Sequence, residues 1–180
     1  MPLDVKTAVA DAFQELLARK DVDKITVKDL VEACGISRQT FYYHFRDIVD
    51  VMEWKARREM ERLLPEHLKA ASPREAMGRF VDFAVDAQPV VRRLLASQRR
   101  ETIERILLES VRSYLEESAR EWGVEPPLDP ADWKITLDFY ACGVAGVLLE
   151  SCRRREPDRQ QLADQLFRLL GGEMFRRTGH

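Results

Sequence analysis

The twenty residues 26–45, TVKDLVEACGISRQTFYYHF, constrain the fold more than any other part of the chain. Thr26 and Ser37 are both of the residue types that cap helix N-termini, and each precedes a short segment with apolar residues at helical spacing. Gly35 lies between the two segments, where a tight turn needs a left-handed backbone. The pattern predicts a helix-turn-helix whose second helix enters the major groove of DNA.

Helical spacing of apolar residues continues along the rest of the chain, and no segment alternates apolar and polar residues as a half-buried strand would. The fold class is therefore expected to be all-α with about nine helices. Pro65 should end or kink the fourth helix near Leu64, and Pro89 should begin the sixth helix after the fifth has ended. The predicted helices are 3–20, 27–34, 38–44, 47–64, 74–87, 89–96, 99–122, 130–155 and 158–175.

Charge excludes a generic nucleic-acid coating protein, which would be strongly basic, because the formal net charge is −2 and the pI is about 6.0. Residues 24–46 nevertheless hold four basic and two acidic residues. A patch this mild implies that affinity for DNA depends on specific contacts and on binding as a multimer.

Catalytic and metal-binding patterns are not evident. Cys34, Cys142 and Cys152 form no C-x-x-C pair, so neither zinc nor a disulfide framework is indicated, and Cys34 reads as a small core residue. We expect no cofactor and no enzymatic activity.

The N-terminal residues do not resemble a leader, and no apolar run reaches the roughly 18 residues of a membrane span. A cytoplasmic protein with no membrane partner is expected.

Residues 26–45 fit, without a gap, a pattern like T-V-x-x-[IL]-[AV]-x-x-[AC]-G-[VI]-S-x-x-T-[LF]-Y-x-[HY]-F. In this the chain resembles the TetR family of one-component transcriptional regulators. The string TFYYHFRDIVDVMEW also resembles a subgroup that includes the activator of dihydroxyacetone kinase operons. Beyond residue 60 the resemblance is one of architecture only. It implies a three-helix DNA-binding domain over 1–47 and a larger helical domain for ligand binding and dimerisation over 48–180.

The resemblance assigns phosphate contacts to Thr26, Tyr42 and His44, with Thr26 equally suited to capping its helix. Base reading falls to the first turn of the second helix and to Tyr43, and a contact from Arg38 to guanine is favoured. Most members have a lysine where this chain has Ile48, so the free N–H groups of that helix and Arg46 are expected to replace it. The predicted DNA-binding residues are Thr26, Lys28, Ser37, Arg38, Gln39, Thr40, Tyr42, Tyr43, His44 and Arg46.

Two further sites follow from the resemblance, and each has a plainer alternative. A ligand cavity is predicted to be lined by Met77, Phe80, Phe83, Arg92, Arg99, Tyr114, Trp133 and Phe139. The aromatic residues among these could equally be core, and the arginines a solvated face. A homodimer interface of the last two helices is predicted to use Leu137, Tyr140, Gly143, Val144, Val147, Leu148, Leu162, Leu166, Leu169 and Leu170. Packing within the subunit is the alternative.

These expectations combine into one function. The chain would bind a pseudo-palindromic operator as a homodimer and respond to a small-molecule effector, with repression favoured over activation. The alternative is a helical ligand-binding or interaction module with weakened DNA binding, suggested by the negative net charge and by Ile48. The residues identify neither the effector nor the operator.

Overall fold

A computed structural model describes residues 4–124, 129–151 and 158–171, with the side chains of residues 67 and 68 left out of the description. These ranges contain eight α-helices, one short 3₁₀ helix at Val22–Lys24 and no strand, so the predicted all-α class is confirmed. The helices are α1 (Val5–Arg19), α2 (Val27–Cys34), α3 (Arg38–His44), α4 (Ile48–Leu68), α5 (Pro73–Leu95), α6 (Arg100–Glu121), α7 (Pro130–Ser151) and α8 (Arg159–Leu170).

The helix-turn-helix forms as local chemistry requires. The predicted bounds of α2 and α3 are confirmed, with Thr26 and Ser37 as their N-caps. Gly35 ends α2 at φ 64° and ψ 31°, the left-handed conformation that glycine adopts without a Cβ penalty. α1 packs against α2, and Val9 and Phe13 of α1 and Leu30 of α2 are all buried.

Two predicted helix ends are wrong because proline does not interrupt either helix. α4 continues past Pro65 to Leu68, and α5 runs through Pro89 as one helix where two were expected. A proline removes one intrahelical hydrogen bond and crowds the preceding turn. In α5 the residues before it are fixed by packing, because Val85 lies against the core and Gln88 is buried with its amide donating to Ser151 Oγ at 3.3 Å.

The chain divides into two compact units. Unit 1 comprises residues 1–59 and 89–106, and unit 2 comprises residues 60–88 and 107–180. Unit 1 therefore includes the end of α5 and the start of α6 in addition to the helix-turn-helix. The expected domain boundary between residues 47 and 48 stays a prediction.

Unit 1 is held together by contacts from its second segment to the 3₁₀ helix and the end of α1. The guanidinium of Arg93 donates to the carbonyl of Ala18 at 3.2 Å, and the backbone N–H of Gln98 donates to the Asp23 carboxylate at 2.9 Å. These bonds connect residues 75 positions apart, so the segment after Pro89 is part of the unit that carries α3.

Unit 2 has an aromatic and aliphatic core in which the rings of Phe80 and Tyr114 stack with centroids 4.5 Å apart. Ion pairs join α5 to α8 at its surface. Arg159 lies 2.7 Å from Asp86 and 3.4 Å from Asp82, and Arg74 lies 2.9 Å from Asp164. No helix in the described ranges is both long and apolar enough to cross a membrane.

Candidate DNA-binding surface

One buried side chain fixes the orientation of α3. Phe41 is fully buried, and its ring meets the rings of Tyr42 and Phe45 at 5.4 and 5.8 Å. On a seven-residue helix this fixes the rotation, so the opposite side must face outward. That outer side carries Arg38, Gln39, Tyr42 and Tyr43, all exposed, with Tyr43 at 84%.

The remaining polar residues at α3 make hydrogen bonds or ring contacts with their neighbours in the helix. Ser37 accepts the backbone N–H of Thr40 at 3.0 Å, and the two hydroxyls lie 2.9 Å apart. Thr40 and His44 are half-buried, and the His44 ring meets the Tyr43 ring edge-on at 4.9 Å. Within the described ranges the side chains of Arg38 and Gln39 make no hydrogen bond, so their donors remain available for base edges or phosphates.

Thr26 forms a complete capping box. Its hydroxyl accepts the backbone N–H of Asp29 at 3.2 Å and lies 2.7 Å from Asp29 Oδ2, to which it donates. Lys20 Nζ lies 2.8 Å from the same oxygen, and these donors lower the pKa of Asp29 from 3.8 to about 2. The capping role predicted for Thr26 is confirmed, and a phosphate contact would have to share this hydroxyl with Asp29.

The start of α4 differs from what the sequence suggested. Ile48 is buried, and the backbone N–H of Asp50 donates to Asp47 Oδ1 at 3.0 Å, so that helix N–H is not free as expected. Arg46 donates its backbone N–H to Asp50 Oδ2 at 2.9 Å and places Nε 3.5 Å from the same oxygen. The carboxylates of Asp47 and Asp50 thus contact two of the groups that were expected to bind a phosphate, and the phosphate contact itself stays a prediction.

Lys28 is the last of the predicted DNA-binding residues. It lies on the exposed side of α2, with its amine 3.7 Å from Glu32 and both side chains about two-thirds exposed. An exposed pair of this kind contributes little to stability and leaves the lysine able to bind an anion.

The predicted cavity residues are divided between the two units. Met77, Phe80 and Tyr114 share the core of unit 2, and burial raises the pKa of the Tyr114 hydroxyl. Trp133 and Phe83 are half-buried, whereas Phe139 is 73% exposed. The two predicted arginines belong to unit 1.

The predicted dimer residues divide into two groups. Leu137, Val144, Leu162 and Leu166 are buried inside their own subunit, and the last three of these belong to the core of unit 2. The other six keep some exposure: Tyr140, Gly143, Val147, Leu148, Leu169 and Leu170. The sequence reasoning missed Ile135, which is 68% exposed one helical turn before Phe139. Four-residue spacing of apolar residues was the available signal.

A metal centre is not formed by the residues that the structure describes, since no three of their His, Cys, Asp and Glu side chains are placed to hold an ion. Cys34 fills the role expected of a small packed residue. Its Sγ lies 3.5 Å from the carbonyl oxygen of Ala8, and burial raises the pKa of the thiol.

An all-helical protein with an exposed helix-turn-helix has the architecture typical of DNA-binding regulators, and comparison with known proteins shows which of them it is similar to. Residues 10–53 match the sequence model of the bacterial regulatory proteins of the tetR family. The helix-turn-helix segment is therefore similar to that of the tetR family, as the sequence predicted. The fold of the chain as a whole is that of TetR-family transcriptional regulators.

Three solved structures illustrate the similarity of fold. The dihydroxyacetone kinase operon activator DhaS is 16% identical over 95% of this chain and 96% of that one, with a TM-score of 0.65. A tetR-family regulator from Streptomyces coelicolor is 19% identical over 94% and 82%, with a TM-score of 0.62. The TetR family repressor AlkX from Dietzia is 20% identical over 93% and 96%, with a TM-score of 0.57. No curated protein matches the sequence.

Proposed function

We propose that the chain is a transcriptional regulator that binds a pseudo-palindromic operator as a homodimer and responds to a small molecule. Of the two possible outputs, we propose repression over activation. The observation that carries this proposal is the outer side of α3, where Arg38, Gln39 and Tyr43 are exposed above a fully buried Phe41. A rigid helix with free donors on one side suits the major groove.

Roles on the surface follow from side-chain chemistry. Arg38 opens α3, and its guanidinium matches the N7 and O6 acceptors of guanine. Tyr42 and His44 are assigned to phosphates, and Tyr43 to the groove. Thr26 contributes through the capping box, which orients α2, and Lys28 through its exposed amine.

The dimer proposal rests on α7. Leu137, Ala141 and Val144 are buried in the subunit, while Ile135 and Phe139 are exposed on the same helix. A helix that is apolar around its circumference is stable in water only when it is covered on both sides. We infer that a second copy covers the exposed side, where Gly143 and Val147 continue the surface at four-residue spacing.

The effector site is proposed within unit 2, around Met77, Phe80 and Tyr114. Their surroundings are apolar and aromatic, which suits a ligand with a hydrophobic body. An effector changes DNA binding only as far as it binds one arrangement of the recognition helices better than the other.

The test is binding of the purified chain to duplexes from its own promoter region, followed by fluorescence anisotropy. Arg38→Ala should weaken binding about 5- to 150-fold for each half-site, the range for loss of one bidentate base contact, and Tyr42→Ala should weaken it less. Arg120→Ala removes the same charge from an exposed position of α6 and should bind as the wild type does. Unchanged binding by both α3 variants would show that α3 is not the reading helix.

A second function is favoured by one observation, the buried Ile48 beside Asp47 and Asp50 at the start of α4. These residues weaken phosphate binding there, as in a helical ligand-binding or interaction module that has lost tight DNA binding. Wild-type protein that binds no duplex with salt-dependent, sequence-selective affinity would support this second function.

A further inference from the structure

Lys6 lies beside the end of α3, although α1 is remote from it in sequence. It stands one turn before Val9 on the side of α1 that carries the buried Val9 and Phe13, so its stem continues an apolar stripe. Its Nζ is 5.7 Å from the centroid of the Phe45 ring, and Phe45 is the residue that ends α3. Lys6 as a whole is half-exposed, which lets its aliphatic stem rest on protein while the ammonium reaches water.

Arg58 lies near Asp4 and over the Trp54 ring, 5.6 Å from its centroid, and two other charged side chains of this region also have partners. Arg46 shares the Asp50 carboxylate through its backbone and side chain, and the Asp4 carboxylate accepts the hydroxyl of Thr7. In the part of the chain that the structure describes, Lys6 forms no ion pair. Its charge is held in place by the face of a buried aromatic ring, an arrangement that keeps a cation oriented without neutralising it.

We propose that Lys6 binds a backbone phosphate of the operator beside the end of the recognition helix. This inference rests on the proposed function and extends the DNA-binding surface to α1. Lys6 would supply the positive charge that the buried Ile48 does not provide. A lysine ammonium is a compact point charge, so the contact positions the protein on DNA and carries no sequence information.

The experiment measures Kd against salt concentration for full-length wild type, Lys6→Ala, Lys6→Met and Lys6→Arg. The probes are a duplex selected by the wild-type protein and a duplex of scrambled sequence. Loss of one phosphate contact lowers the slope of log Kd against log salt by about 0.9 per subunit, hence roughly 1.8 for a dimer. Lys6→Ala and Lys6→Met should show this loss on both duplexes, and Lys6→Arg should retain the wild-type slope.

Two controls separate this effect from others. Lys6→Met keeps an unbranched apolar stem over Phe45, so it reports loss of charge with the packing retained. Lys69→Ala removes a lysine that pairs with Glu66 at 2.6 Å in unit 2 and should leave the slope unchanged.

If Lys6→Ala and Lys6→Met have the same slope of log Kd against log salt as the wild type, the inference is overturned and the proposed function stays intact. A loss confined to the selected duplex would also overturn it, because it would indicate a base contact. Failure of the wild type to bind any selected duplex would instead overturn the proposed function, and the inference with it.

Discussion

Asp29 joins three groups of the helix-turn-helix through one carboxylate oxygen. Asp29 Oδ2 accepts from Lys20 at 2.8 Å and from the backbone and hydroxyl of Thr26 at 2.7 Å each. The ionised carboxylate is therefore favoured in the folded state, which is why its pKa falls to about 2.

This shift predicts a pH-dependent stability. A group whose pKa is lowered by folding stabilises the fold above its unfolded pKa, here 3.8, and loses that effect as the pH falls towards 2. Asp29→Asn should lower Tm at pH 7, with the difference from wild type shrinking between pH 4 and pH 2. Calorimetry across this range checks it, with Glu32→Gln in the exposed pair with Lys28 as control. A difference independent of pH would contradict the assignment.

Capping was predictable at the residue scale because it depends on neighbours in sequence. Thr26 and Ser37 bond to groups three positions ahead, so sequence spacing alone located both helix starts. Lys6 was not predictable in this way, because its contact with Phe45 depends on how α1 packs against the end of α3.

At the scale of elements, the turn between α2 and α3 requires a left-handed residue. Gly35→Ala should destabilise the protein by about 1–2 kcal/mol through backbone strain, since φ is 64° and nothing lies within 4 Å of the added Cβ. Gly78→Ala makes the same chemical change inside α5, also with open space, and should stabilise by about 1 kcal/mol. Urea denaturation measures both. Equal signs for the two variants would contradict this explanation.

Pro89 is a position at which local sequence rules alone predict the wrong helix boundary. The rule that proline ends a helix concerns one hydrogen bond, whereas the continuation of α5 depends on what Val85 and Gln88 pack against. Those partners lie on helices distant in sequence, with Gln88 bonding to Ser151, 63 positions away. Tertiary packing therefore decided the length of α5.

At the scale of the whole molecule, the exposed apolar side of α7 predicts that the protein forms a homodimer. Phe139→Glu should convert a dimer to a monomer, because it places a charge in the centre of a surface that a second copy would bury. Sedimentation velocity of the full chain measures this. Val124→Glu changes an apolar residue that is 51% exposed outside α7 and should leave the assembly intact. A wild-type chain that sediments as a monomer would contradict the proposed interface.

Sequence alone predicted that α7 is an interface helix but did not show which of its sides faces the partner. Because apolar residues surround the helix, periodicity does not show which of them face the subunit core. Leu137 and Val144 were expected at the partner surface and are buried within the subunit, while Phe139, expected in a cavity, is exposed. The choice of side depends on the packing of α5, α6 and α8.

The central claim is that two copies of α3 read DNA in successive major grooves. Selection of genomic fragments by the purified wild-type chain tests it most directly. We predict a motif with two-fold symmetry and half-sites about 10 base pairs apart, and an Arg38→Ala variant that loses preference at one position in each half-site. An asymmetric motif, no enriched motif, or an unchanged motif in Arg38→Ala would contradict the claim.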